Sequence, residues 1–197
     1  MKELADKITA GKKTVVARAQ VIYAWIIENM YRDPTTYECG KGDVCSLLEQ
    51  PGGKCVDIHS VFVALARASG VSAYEVFGLR LAKKGPKDVS TWQHCRVKFF
   101  VPGYGWVPVD PADVRKAMLT EILNLKDAKT TELSKYYWGA IDPYRVKFGV
   151  GRDLTLNPQQ KGDPVNYLMY SFAQVGGQTL DGIDPQKFEY KIMFQAK

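Results

Sequence analysis

The sequence predicts an α+β fold: N-terminal helices, then one buried helix packed on an antiparallel sheet. Three observations carry that prediction. Apolar residues recur at three- and four-residue steps up to Gly70 and at two-residue steps after it, a change from helix period to strand period. A glycine pair, Gly52-Gly53, opens a stretch that is apolar on most sides, the pattern of a buried helix. Two strand-like runs, residues 91–101 and 106–109, flank the turn sequence Pro102-Gly103-Tyr104-Gly105, which makes them an antiparallel hairpin.

The elements follow in order. Residues 3 to about 30 read as helix, with Val15, Val16, Ala19, Ile22, Trp25, Ile26 and Met30 on one face and Gly11 separating a short first segment. Asp33-Pro34 forbids continuation, because the residue before proline avoids the helical region. Residues 32–43 are loop, and Asp43 or Ser46 caps a short turn that holds Leu47 and Leu48. The helix from Cys55 to about Ser69 stops at Gly70. Residues 71–81 read as the first strand, 82–90 as a polar loop, and the hairpin follows. Beyond Asp110-Pro111 the pattern weakens: a helical stretch lies around 117–125, and 144–156, 165–176 and 188–194 alternate like strands. The chain has no internal repeat or low-complexity tract. Residues 1–197 are expected to form a single domain, with a core of about 15–115 and a C-terminal extension of about 116–197.

The bulk composition is that of an ordinary globular chain: 46% hydrophobic and 24% charged residues over 197 positions. The net charge of +6 is scattered, whereas nucleic-acid binding calls for a clustered basic face, so no nucleic-acid partner is expected. No apolar run reaches the roughly 20 residues of a membrane span. The first residues are polar and charged, unlike a signal peptide. An export signal could have stood ahead of them, and an extracytoplasmic location, periplasmic or secreted, is the expectation. Cys39 and Cys45 lie in a short glycine-containing loop and are expected to close a disulfide, which would place the chain in an oxidising compartment.

The chemistry centres on Cys55. A helix start offers unpaired N–H groups and the positive end of the macrodipole, and both favour the thiolate, which is the nucleophile. Such a cysteine needs a base, and the base an orienting group. The chain holds two histidines, His59 and His94. His94 lies on the second strand. Asp110, at the end of the third, is an even number of residues away across the hairpin, so the two share a face. The Asp would fix the imidazole tautomer and favour imidazolium. Asp113 is a rival carboxylate, better placed to cap the next helix, and Asp57 is a negative charge in the first helical turn. His59, one turn after Cys55, is the other base on offer, although a helix aims it poorly at the sulfur. Tyr31, Tyr37 or Gln93 could donate to an oxyanion, as could the Cys55 N–H. Trp92 and Trp106 could wall a substrate groove. Gly52 and Gly53 would leave room for a substrate carbonyl.

Taken together, GGKC at the helix start, ALARASGVSAYEVFG after it, WQHCRVKFF on the His strand and GWVPVDPAD on the Asp strand resemble the transglutaminase-like superfamily of papain-like cysteine enzymes. The resemblance covers roughly residues 15–115, and the leading helix AQVIYAWIIENMYRD is similar too. It implies a papain-like fold, with Cys55 as nucleophile, His94 as base and Asp110 as orienting carboxylate. It implies attack on a carboxamide or peptide carbonyl, a thioester, and transfer to an amine or water, with a protein or peptide as substrate and no cofactor. Cys95 and Arg96 after His94 depart from the family's small residue and aromatic, which bears on the acyl-donor pocket. Two other classes stand beside this one. One is a catalytically weak or inactive binding module of the same fold, for protein or cell-wall ligands. The other is a structural zinc protein using Cys39, Cys45, Cys55 and His59, whose spacings match no finger or ribbon.

Overall fold

The computed structural model describes residues 1–184 and 186–196. In chain order the elements are α1 (Lys2–Ile8), α2 (Val15–Asn29), β1 (Tyr31–Arg32), α3 (Val44–Glu49), β2 (Gly52–Gly53), α4 (Cys55–Ala68), β3 (Ala73–Arg80), β4 (Lys87–Asp88), β5 (Gln93–Val101), β6 (Gly105–Val109), α5 (Pro111–Thr120), α6 (Ala128–Tyr136), β7 (Arg145–Gly149), β8 (Ala173–Val175), β9 (Gln178–Leu180) and β10 (Met193–Phe194). The fold is α+β with antiparallel sheet, as the pattern predicts. The chain forms two compact units: Met1–Glu75 with Arg96–Ile141, and Val76–Cys95 with Asp142–Lys197.

The first unit is built on α4. Its buried residues lie on every side, and α1, α2, α3 and α5 all pack against it. Ile58, Val61, Phe62 and Leu65 are fully buried, with Ile22 and Ile26 of α2 and Phe99 of β5. Each such side chain contributes on the order of 1.5–3 kcal/mol by leaving water. Trp138, beyond α6, closes this core by stacking on Phe99 at 5.4 Å between ring centres. Helix α2 starts at Thr14, whose hydroxyl accepts the Ala17 N–H at 3.1 Å. It ends at Met30, ahead of the proline, because the next residues turn to a parallel β pairing. Tyr31 N–H donates to the Pro51 carbonyl and Asp33 N–H to that of Gly53, both at 3.0 Å. Asp43 caps α3, and Gly70, in the left-handed region at φ +81°, ends α4, both as expected. The β5–β6 hairpin runs in register from Val97↔Val109 to Val101↔Gly105, and Phe100 N–H donates to the Ser72 carbonyl ahead of β3 at 2.9 Å. The single helical stretch expected at 117–125 is instead two helices, α5 starting at Pro111 and α6 at Ala128.

In the second unit the later part of β3 pairs antiparallel with β7, from Phe77↔Gly149 to Arg80↔Arg145. Leu79, Ala82 and Val89 form its core with Trp92, Ile192 and Phe194 against them. Phe77 stacks on Tyr167 at 5.1 Å, and the Arg152 guanidinium lies 5.5 Å from both ring centres. The expected strands 144–156, 165–176 and 188–194 shrink to β7, β8 and β10. Side chains, not ladders, satisfy much of the intervening backbone. Gln160 accepts the Leu156 N–H and donates to the carbonyls of Leu154 and Asp163. Among the described residues no helix is long and apolar enough to cross a membrane.

Candidate active site

The start of α4 is held by Asp57 more than by its glycines. Asp57 stands at the third helical position. One carboxylate oxygen accepts the Lys54 N–H at 3.1 Å and the other accepts the Gly42 N–H at 2.8 Å. The Cys39 carbonyl accepts the Val56 N–H at 2.9 Å. Two of these bonds tie the 39–42 loop to the helix start, and the third closes the helix start on itself. Burial pushes the Asp57 carboxyl above the usual carboxylate range, outweighing the Gly42 and Lys54 N–H groups, which pull it down. The role read from sequence, a charge in the first turn, is therefore too small.

The glycines have packing reasons. A Cβ on Gly52 would run into the Tyr31 ring, and one on Gly53 would lie 2.5 Å from the Asp57 Cβ. Gly40, at φ +96°, has its Cβ position occupied by the Asp57 carboxylate. The substrate-carbonyl reason expected for Gly52 and Gly53 gives way to these contacts.

Cys55 is the first residue of α4 and is 1% exposed. Asp110 lies in the same unit and is fully buried. It stands one residue past β6 and caps α5: its carboxylate accepts the Asp113 N–H at 3.0 Å, and its own N–H donates to the Tyr137 carbonyl at 3.1 Å. The cap expected of Asp113 is therefore made by Asp110, and Asp113 is buried in the first turn of α5. The β5–β6 ladder begins at Val97↔Val109, so neither His94 nor Asp110 stands in it. Pro111, in helical conformation, is what takes Asp110 off the strand. His94 is buried on β5 and belongs to the second unit.

His59 and Tyr23 complete the surroundings of Asp110. His59 is 0% exposed, and its Nε2 lies 3.2 Å from Asp110 Oδ1. The approach is off the line of an ideal hydrogen bond, so it is a close polar contact between two buried groups. From α4 His59 thus reaches Asp110. Tyr23 of α2 donates to the Ser134 carbonyl at 3.0 Å. Burial raises its phenol far above the ordinary range, and the charges of Asp110, Tyr137 and Asp113 add to that. Sequence reading missed Tyr23 because it sits within the apolar run of α2.

Several expected residues serve other ends. The Gln93 amide donates to the Ser90 carbonyl at 2.7 Å and to the Tyr190 hydroxyl at 3.0 Å. Its amide nitrogen is thus engaged within the second unit. Trp92 is partly buried and packs on that unit's core. Trp106 is 43% exposed, edge-on to Tyr74 and Phe100. Tyr31 and Tyr37 are exposed. Cys39 and Cys45 are thiols and form no disulfide, since Cys39 is buried under α4 while Cys45 faces solvent on α3. The sequence reason for an oxidising compartment goes with that bond. Among the described residues Cys39, Cys45, Cys55 and His59 do not gather as metal ligands, which removes the zinc reading.

Comparison with known proteins gives the following. The family model described as the Transglutaminase-like superfamily matches residues 2–111. An uncharacterized protein of Haemophilus influenzae is 40% identical over 209 aligned positions, which cover 96% of this chain and 57% of that protein. The chain thus spans little more than half the length of that relative. The periplasmic domain of TgpA from Pseudomonas aeruginosa shares 16% identity over 69% of this chain and 46% of that one, with a TM-score of 0.43. A candidate cysteine protease from Cytophaga hutchinsonii shares 20% identity over 56% of this chain and 36% of that one, with a TM-score of 0.46.

Proposed function

From the chain's membership of the transglutaminase-like superfamily, we propose that it is an acyl-transfer enzyme with Cys55 as nucleophile, His94 as base and Asp110 as the carboxylate that orients His94. The observation that carries this is Cys55 at the first position of a buried helix. The positive helix end there favours thiolate, and the surrounding core holds the sulfur in one place. The 0% exposure of Asp110 adds to it, since a buried carboxylate is the kind of group that orients a catalytic imidazole.

The reaction runs in two halves. The Cys55 thiolate adds to an amide carbonyl carbon, and the C–N bond breaks as the His94 imidazolium protonates the leaving nitrogen. This leaves a thioester on Cys55 and a neutral imidazole. Water or an amine then attacks the thioester, His94 takes its proton, and the C–S bond breaks to restore the thiolate. The acyl donor is a protein or peptide amide, and residues 1–197 act as one domain. An extracytoplasmic location is part of the proposal.

Casein offered with a fluorescent primary amine tests this, read for amine incorporation and for peptide or ammonia release. Cys55→Ala abolishes every product, and a Cys55→Ala chain with full activity would refute the assignment. The 1% exposure of Cys55 favours one alternative, a binding module whose cysteine is closed off. Its signature is a Cys55 thiol that titrates near the unperturbed value of roughly 8.5.

A further inference from the structure

We propose that His59 is a positioning residue for this reaction: from α4 it fixes the Asp110 carboxylate at the head of α5, so that nucleophile and carboxylate are set by one helix. The inference rests on Asp110 being the catalytic carboxylate.

Helix α4 begins with Cys55, and His59 follows one turn later on the same face. Both side chains are buried. Asp110 Oδ1 meets two groups at once, His59 Nε2 at 3.2 Å and the Asp113 N–H at 3.0 Å. The first comes from α4 and the second from α5, and these helices pack on each other. A carboxylate held through one oxygen from two rigid helices has its plane fixed, and its second oxygen keeps a set direction. Orientation of this kind governs catalysis when a carboxylate must hold an imidazole in one tautomer, and a misplacement of about 1 Å is worth about 100-fold in rate.

Within the first unit Asp113 stands by Asp110 on α5 and Tyr23 on α2, and the Tyr137 carbonyl at the end of α6 accepts the Asp110 N–H. His59 of α4 brings its Nε2 to 3.2 Å from Asp110 Oδ1 within the first unit. On the next position of α4, Ser60 donates to the buried Glu75 at 2.9 Å. His59 therefore does not serve Glu75 in that bond, and the contact it makes with Asp110 is a separate one.

The test is the rate of Cys55 alkylation by iodoacetamide against pH, followed by peptide mapping and run with turnover. His59→Phe and His59→Met fill the volume without the polar contact to Asp110. A variant that folds, judged by circular dichroism and melting, is expected to alkylate about tenfold more slowly at neutral pH, with its pH midpoint displaced upward. It should lower kcat more than it raises KM, and add nothing to Asp110→Asn in the double variant. A folded variant with the wild-type pH profile overturns the positioning role. So does failure of both variants to fold, which would make His59 a fold determinant only. If Asp110→Asn also leaves the profile unmoved, the catalytic assignment of Asp110 itself falls; if only the His59 variants leave it unmoved, that assignment stands.

Discussion

Asp57→Ala should unfold the start of α4 more than any surface change in the first unit. The carboxylate accepts two backbone N–H groups, Gly42 at 2.8 Å and Lys54 at 3.1 Å, and is 5% exposed. Each donor left buried and unmatched costs about 1–3 kcal/mol. Removing a buried carboxylate returns part of that, because desolvation is the largest influence on this group. The net expectation is a loss of about 2–3 kcal/mol, comparable to losing a strong N-cap plus one buried hydrogen bond. For a chain of this size each kcal/mol moves the melting temperature by about 2–4 °C, so the drop is about 5–10 °C. Thermal melts and urea titrations measure it, with Asp57→Asn as the smaller perturbation that keeps one acceptor oxygen. A loss below about 0.5 kcal/mol for the alanine variant would refute the clamp, since even one unmatched buried donor exceeds that.

Gly40→Ala places a methyl group where the Asp57 carboxylate sits, at φ +96°; a loss of about 2–4 kcal/mol by urea titration is expected, from strain and overpacking together. The raised Asp57 carboxyl has a sign: its favourable contribution is full below the ordinary value of 3.8 and fades as pH rises through the raised folded value. The stability difference between wild type and Asp57→Asn should therefore shrink as pH climbs out of the acid range. Tyr23 gives the alkaline counterpart, because its phenol stays protonated in the fold after the unfolded one titrates at 10.0. Above that pH, wild type should lose stability faster than Tyr23→Phe, by up to about 1.4 kcal/mol per pH unit. Parallel slopes would contradict the burial of the phenol.

The local part of this structure is legible in the sequence. Asp43 as a cap, Gly70 as a stop and the hairpin turn at 102–105 each follow from one residue's own backbone preference. The helix at Cys55 follows from periodicity alone. What escaped depends on contacts between distant segments. Asp110 looks like a strand residue until Pro111 is seen to start a helix, which makes it a cap. Asp57 looks like a helix-dipole charge until the 39–42 loop folds onto it. Cys39 and Cys45 are close in sequence, but α3 turns one outward while α4 covers the other. The strand-like runs after residue 150 overstate the strands because pairing there is short, a Leu154↔Val165 bridge and the brief β8–β9 and β10–β4 ladders, with Gln160 bonding the backbone between. Both residues of the His59–Asp110 contact are visible in the sequence, yet nothing in their spacing pairs them.

The identity of the nucleophile is the central claim, and trapping the acyl-enzyme tests it most directly. The protein is mixed with p-nitrophenyl acetate, quenched in acid within the first turnover, and mapped by peptide mass spectrometry. One acetyl group on the Cys55 peptide is expected, absent in Cys55→Ala and slow to form in His94→Ala. Acetyl found on Cys39, Cys45 or Cys95 in preference to Cys55, or equal labelling of Cys55→Ala, would contradict it.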